Sequence, residues 1–239
     1  MCTHSEFILP QFSKWHRKRY LDYATQVLES QQLMTKDSKN ILHYTLNKMP
    51  SYLHMDHYPK GDRIDHSTGA QYFYHCHREN YESTEHGHFH CFLRYKQIPK
   101  SIKPTPLPDW DKYFDNPMTH LVAIGMNQLG QPIRLFTVNR WVTSEIWYSA
   151  EHTARFLKRY KMTLMDDPYW QVLDKWIEGI LHLFTPQILW LRQERERKIQ
   201  FHLTNTSIDN PYLDYDLEEL SEINIDLKQQ IEWILGNSP

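Results

Sequence analysis

Residues 71–94 read QYFYHCHRENYESTEHGHFHCFLR. Two β-like runs are separated here by the polar stretch 78–85, which favours a hairpin loop. Within each run the histidines are two positions apart, a spacing that places side chains on one face of a strand. The sequence therefore predicts a hairpin with one imidazole face and one apolar face. The histidines concerned are His75, His77, His86, His88 and His90.

The register of this hairpin decides which side chains share a face. In the simplest antiparallel register, His75 lies opposite His88 and His77 lies opposite His86. All five imidazoles then share one surface, and the cysteines at 76 and 91 lie on the other. A slip of one residue would move every side chain to the opposite face.

A second hairpin is predicted at residues 119–141, around a turn-rich loop at 127–132. If Met126 pairs with Ile133, then His120 faces Asn139. We expect the hairpins at 70–94 and 119–141 to join in an antiparallel sheet of about four strands. Helical periodicity dominates on both sides of this sheet, so the predicted fold class is α+β.

We predict a single domain over residues 1–239. It consists of a helical N-terminal segment (1–50), a sheet-bearing core with the histidine hairpin (51–141) and a helical C-terminal segment (142–239). Residues 50–70 are expected to be irregular, and the charged run 192–198 to be a solvated helix surface. Asp167 and Pro168 are expected to cap and begin one helix, and residues 217–235 to form the last.

Composition excludes several classes of function. The formal net charge is −2, and only seven of the 239 residues are glycine. We therefore expect no nucleic-acid partner and no glycine-rich phosphate loop. No apolar stretch approaches the roughly 18 residues of a membrane span, and the N-terminus lacks the order of a signal peptide. The expectation is a cytoplasmic protein with free thiols and no membrane partner, its oligomeric state open.

The imidazole face predicts a metal site. Histidines two apart on a strand can both bind one ion, and sites without thiolate ligands are typically catalytic. We predict that two or three of the five histidines hold a divalent metal (zinc, iron or manganese) in a metal-dependent enzyme acting on a small molecule. Glu85 or Glu145 would be the base, Arg140 the substrate anchor and Asn139 an orienting group. Further candidate ligands precede the hairpin: Asp56, His57, Asp62, Asp65 and His66.

Two alternatives remain open, and either would leave the protein without a catalytic metal. The pattern H-x-H-x-H-x-x at 86–92 resembles the signature of histidine-triad nucleotide hydrolases and transferases. That resemblance implies metal-free nucleotidyl or phosphoryl transfer or hydrolysis with His88 as nucleophile. Gly87 departs from it, because the family usually has an apolar side chain there, and the long helical tail does not match its small fold. The other alternative is a non-enzymatic binding protein with a histidine-lined groove.

Three blocks carry a second resemblance. They read QYFYHCHR at 71–78, EHGHFH at 85–90 and LFTVNRWVT at 135–143. They are similar to blocks of an uncharacterised bacterial domain-of-unknown-function family, over most of residues 55–150. The resemblance implies no activity and therefore adds no mechanism.

Overall fold

The structure is a computed structural model. It describes residues 6–10, 14–47, 49–76, 84–107, 112, 117–206 and 209–236. The strands are β1 (Tyr58–Ile64), β2 (Ala70–Cys76), β3 (Gly87–Arg94), β4 (Met118–Met126), β5 (Pro132–Val138) and β6 (Glu219–Asn224). They form one antiparallel sheet in the order β1-β2-β3-β4-β5-β6, so each strand pairs with its neighbours in sequence.

Both predicted hairpins are present. In the first, β2 pairs with β3 and His75 lies opposite His88, which confirms the predicted register. In the second, β4 pairs with β5, and the predicted register holds from Ala123 opposite Phe136 to Gly125 opposite Arg134. It shifts at Met126, which lies opposite Pro132 and not Ile133.

The sheet has six strands, so the prediction of about four is wrong in number. β1 lies within residues 50–70, which the sequence predicts to be irregular because of Pro59 and Gly61. An outer strand tolerates both residues, since a missing ladder hydrogen bond costs least there. β6 occupies the start of the predicted last helix, and the helix itself begins only at Leu227.

The helices confirm the α+β class, with helical segments before and after the sheet. They are α1 (Lys14–Lys36), α2 (Ile41–Leu46), α3 (Arg140–Thr143), α4 (Thr153–Arg159), α5 (Pro168–Leu183), α6 (Thr185–Asn205) and α7 (Leu227–Gly236). The apolar sheet face packs against this layer, where the ring of Phe89 lies 6.2 Å from that of Trp176. Cys76 and Cys91 are buried in the same apolar core.

Helix α5 begins as predicted. Pro168 is its first residue, and Asp167 accepts a hydrogen bond from the backbone N–H of Tyr169 at 2.9 Å. Within it, Gly179 lets α1 approach closely, because an added Cβ would lie 2.5 Å from Cγ2 of Val27. None of the helices in the described ranges combines the length and apolar character needed to cross a membrane.

Helix α6 carries the charged run 192–198. The prediction of a solvated surface there is wrong for Arg192, Glu194 and Arg195, which are buried, whereas Gln193 and Arg197 are exposed. Arg192 and Arg195 are both 0% exposed. Arg195 donates to Oε1 of Glu145 at 2.8 Å and to the carbonyl of Tyr148 at 3.2 Å. Arg192 donates to the carbonyl of His120 at 2.7 Å. Buried carbonyl groups of β4 and of the irregular segment after α3 need donors, and α6 supplies them.

Candidate metal centre

Three imidazoles from β2 and β3 converge on the sheet face opposite the main helical layer. Nε2 of His75 lies 2.6 Å from Nε2 of His88, which lies 3.1 Å from Nε2 of His90. The three residues are buried, and one ring nitrogen of each lies within 4.8 Å of the others. The local fold explains this convergence, since His88 and His90 alternate on β3 and His75 is the cross-strand neighbour of His88.

A carboxylate orients the central imidazole. Nδ1 of His88 lies 2.8 Å from Oε1 of Glu85, and the other Glu85 oxygen accepts from Nε of Arg134 at 2.5 Å. Arg134 in turn makes a bidentate pair with Glu219 at 2.7 and 2.9 Å. Because an ionised carboxylate only accepts, His88 donates from Nδ1. In the neutral imidazole, Nε2 of His88 then carries a lone pair, which faces the other two rings.

A glycine makes room for this ion pair. Gly125 lies between His88 and Arg134 in the sheet. A Cβ at this position would lie 2.6 Å from Oε2 of Glu85 and 2.7 Å from Cγ of Arg134. Any larger residue at 125 would therefore displace Glu85 from His88.

A fourth imidazole, His120, lies behind the group. Its Nε2 is 3.1 Å from Nδ1 of His90. A β-bulge in β4 puts it there: Cys91 lies opposite Val122, but Phe92 lies opposite His120, so β4 has one extra residue between these pairs. Without the bulge, His120 would alternate with Val122 onto the apolar face.

The backbone of His120 is held on both sides. Its N–H donates to Oε2 of Glu145 at 2.9 Å, and its carbonyl accepts from Arg192 at 2.7 Å. Burial lowers the pKa of His120 well below its ordinary value, and the neighbouring His90, Arg195 and Arg192 lower this pKa further. The ring is therefore neutral, and its Nε2 can accept the Nδ1 proton of His90.

This donor set fits a divalent metal ion. Tetrahedral zinc with bonds of about 2.0 Å to nitrogen would place its ligand nitrogens roughly 3.3 Å apart. The observed separation of 3.1 Å between His88 and His90 is near that value, whereas the 2.6 Å between His75 and His88 is shorter, so these two rings would move apart on binding the ion. Acceptors on the distal ring nitrogen, as Glu85 and His120 provide, are the usual accompaniment of histidine ligands. An all-nitrogen set favours zinc or iron over manganese, which prefers oxygen ligands.

A cavity of about 940 Å³ opens over the three imidazoles. Two of the candidate ligands upstream of the hairpin line it. The ring of His57 stacks on Phe73 at 3.6 Å, and its Nδ1 lies 2.8 Å from Oδ1 of Asp62. The centroids of the His57 and His75 rings are 6.2 Å apart. A small molecule in the cavity would therefore lie beside the nitrogens that face the proposed ion.

The prediction that all five histidines share one surface is wrong for His86. Its Nδ1 lies 2.6 Å from the hydroxyl of Tyr74, a residue of the apolar core. β3 begins only at Gly87, where a Cβ would lie 2.7 Å from that hydroxyl, so Tyr74 reaches His86 past the glycine. His86 thus lies apart from the metal-binding group. The predicted ligand His77 lies outside the described residues.

The two predicted carboxylate bases have different positions. Glu85 lines the cavity, where its contacts make it an orienting group for His88. Glu145 is 0% exposed and is paired with Arg195 at 2.8 Å. A carboxylate buried in an ion pair cannot collect a proton from a molecule in the cavity, so the role of base for Glu145 is corrected to a structural one.

Asn139 and Arg140 are also structural. Asn139 caps α3 by accepting from the N–H of Arg140 and donates to the carbonyl of Pro211 at 2.8 Å. Arg140 is 1% exposed, and its Nε donates to the carbonyl of Glu145 at 3.4 Å. Because these contacts hold both side chains in the interior, the predicted roles in orienting and anchoring a substrate are corrected.

Two residues of β5 belong to the site although the sequence does not single them out. Arg134 and Phe136 line the cavity, and the guanidinium of Arg134 lies 4.0 Å from the centre of the Phe136 ring. Their spacing of two places them on one face of β5, which is the signal that could have found them. Which face they share is fixed by the pairing of Gly125 with Arg134.

Comparison with known proteins gives one match. A family model described as Domain of unknown function (DUF6969) matches residues 21–225. No curated protein and no solved structure matches the chain. The match covers β1 to β6, and therefore every residue assigned above to the candidate metal centre.

Proposed function

The chain belongs to that domain family of unknown function, and we propose from its site that it is a metal-dependent enzyme acting on a small molecule. His75, His88 and His90 would hold one divalent ion, zinc or iron, through Nε2. The cavity above them would admit the substrate to the ion. Glu85 and His120 would orient two of the ligands.

One observation carries the proposal: ring nitrogens of three buried histidines face one another, and the contact of His88 Nδ1 with Glu85 favours a lone pair on Nε2 of His88. That lone pair can accept one proton, from His75, because His90 donates through Nδ1 to His120. A cation shared by all three nitrogens satisfies every lone pair at once, whereas a proton satisfies two. The convergence of ring nitrogens from three buried histidines therefore supports a shared ion.

The open side of the site supports catalysis over a purely structural role. Structural zinc sites surround the ion with four protein ligands, usually including thiolates, whereas catalytic sites have three and an open position. Here three imidazoles meet at a cavity of about 940 Å³. When bound, such an ion supplies a Lewis acid and lowers the pKa of a water ligand.

Phosphoryl or nucleotidyl transfer by His88 is less well supported. The pairing of His88 with Glu85 would suit a nucleophile, but Nε2 lies 2.6 Å from His75 and is covered by it. The one arginine lining the cavity, among the described residues, is already paired with Glu85 and Glu219. A phosphate group would find little positive charge there in the absence of a metal.

The proposal is tested by the metal content of protein purified without a histidine tag. We expect about one equivalent of zinc or iron per chain by elemental analysis, and its loss in the double variant His88→Ala, His90→Ala. The matched control is His16→Ala, His66→Ala, because both of these histidines are exposed and lie outside the cavity. Metal-free wild-type protein that also takes up no zinc on titration would overturn the metal centre and favour a binding protein.

A further inference from the structure

The cavity wall beside the imidazoles is apolar. The ring of Phe136 meets that of His88 edge-on at 4.9 Å, and the ring of Phe73 lies 5.2 Å from that of His90. A molecule whose head group reaches the ion can therefore place its body against this part of the wall. The apolar lining consists of Met55, Phe73, Phe92, Met118, Ile133, Phe136, Val138 and Val142.

The remaining polar lining is strongly acidic. Among the described residues that line the cavity, Arg134 is the one arginine or lysine, and Glu85 and Glu219 already neutralise it. The carboxylates of the lining are Asp62, Glu85, Asp216, Glu218, Glu219 and Glu222. Like-charge repulsion at such a rim disfavours polyanions, including nucleotides and other multiply phosphorylated molecules.

An ion with three imidazole ligands retains its full positive charge, because the imidazoles are neutral. Its open position therefore favours a single anionic or strongly polar oxygen group, such as a carboxylate, an enolate or a hydroxamate. The preference for an oxygen head group applies only next to the ion, so it is compatible with carboxylates at the rim of the cavity.

We propose, on the basis of the metal centre proposed above, that the substrate is a small molecule with an aromatic or bulky apolar body and one oxygen head group that binds the ion. The apolar wall recognises the body, the ion recognises the head, and the carboxylate rim excludes polyphosphates. Phe136 is a specificity-determining residue in this arrangement, since it contacts the ring of a metal ligand and lines the cavity.

Cobalt(II)-loaded protein with measured metal content provides the test. Its visible spectrum reports ligands entering the coordination sphere, and the probes are benzohydroxamate, acetohydroxamate and ADP. Both hydroxamates present the same head group, so their difference measures the aromatic body. We expect benzohydroxamate to bind at least about tenfold more tightly than acetohydroxamate, because its ring is buried against the apolar wall. ADP should bind more weakly than benzohydroxamate by a similar factor.

Two variants test whether the apolar wall causes the preference for benzohydroxamate over acetohydroxamate. Phe136→Ala should reduce the preference for benzohydroxamate about tenfold at unchanged cobalt content. If that variant fails to fold, Val142→Thr keeps the shape of a half-buried wall residue and should reduce the preference by a smaller factor. Met165→Ala is the control, because Met165 is 85% exposed and lies outside the cavity.

The possible failures are distinguishable. Equal affinities for the two hydroxamates, or tighter binding of ADP, on protein carrying one cobalt per chain would overturn the substrate class and leave the metal centre intact. A preference for benzohydroxamate that both wall variants leave unchanged would overturn the role assigned to the wall. Protein that takes up no cobalt would overturn the metal centre, and the substrate class with it.

Discussion

Replacement of Gly125 by alanine is expected to weaken metal binding, although Gly125 contributes no ligand. The added Cβ would lie 2.6 Å from Oε2 of Glu85 and 2.7 Å from Cγ of Arg134. The ion pair must then move, and we expect the 2.8 Å contact between Glu85 and His88 to break. Loss of such an outer partner typically weakens metal affinity about 10- to 100-fold, or about 1.4–2.7 kcal/mol.

The same contact can be removed directly. Glu85→Ala should weaken metal binding by a similar factor, and the double variant with Gly125→Ala should lose little more than either single variant. This non-additivity is expected because both changes act through one hydrogen bond to His88. Comparing the unchanged protein, the two single variants and the double variant therefore distinguishes loss of the hydrogen bond between Glu85 and His88 from a general disturbance of the sheet.

The assay is zinc titration of metal-free protein in competition with a chromophoric chelator, with circular dichroism to establish folding. Gly236→Ala is the matched control, because a Cβ at that position meets nothing within 4 Å. Its affinity should stay within about twofold of the unchanged protein. The reasoning is refuted if folded Gly125→Ala binds zinc as tightly as this control, or if the two single losses add fully in the double variant.

Three further predictions concern stability, each measured by urea denaturation. Burial lowers the pKa of His182 from 6.5 to about 4, so the folded state holds it neutral. The free energy of unfolding is unaffected by this group above pH 6.5 and falls by at most about 3 kcal/mol as the pH drops towards 4. His182→Gln should flatten this dependence of the free energy of unfolding on pH, and an unchanged dependence would contradict the prediction. Glu145→Gln leaves Arg195 buried without its carboxylate and should destabilise by about 3–5 kcal/mol; a loss under 1 kcal/mol would show that the pair is dispensable. Gly179→Ala should cost about 1–3 kcal/mol by crowding Val27, and unaltered stability would mean that α1 moves away freely.

The central hairpin was predictable because its pattern is local. A spacing of two residues fixes which side chains share a face, and one polar loop between two apolar runs fixes the register. These two facts are enough to place His75 opposite His88, as the structure has it. The same two facts mispredict His86, which lies one residue before β3. Its ring contacts the hydroxyl of Tyr74 instead of joining the imidazole face.

The rest of the site depends on interactions between residues far apart in sequence. The bulge that turns His120 towards His90 leaves no composition signal in β4. The outer strand β1 contains proline and glycine, which are turn residues in a sequence taken alone. Arg192 and Arg195 look solvated within a charged run, and their burial depends on carbonyl groups that only the folded chain brings to α6. The periodicity of apolar residues along the sequence therefore cannot predict these features.

The ligands of the proposed ion come from one hairpin, and this has a consequence for how the site is assembled. His75 and His88 are separated by only 13 positions along the chain. Bringing together the ends of a short loop costs little entropy, and that cost grows only slowly with loop length. The donor atoms can therefore meet as soon as two adjacent strands pair, before the distant helices dock. Ion capture by a partly folded chain, and with it a metal-dependent acceleration of folding, is the kinetic behaviour that this topology favours.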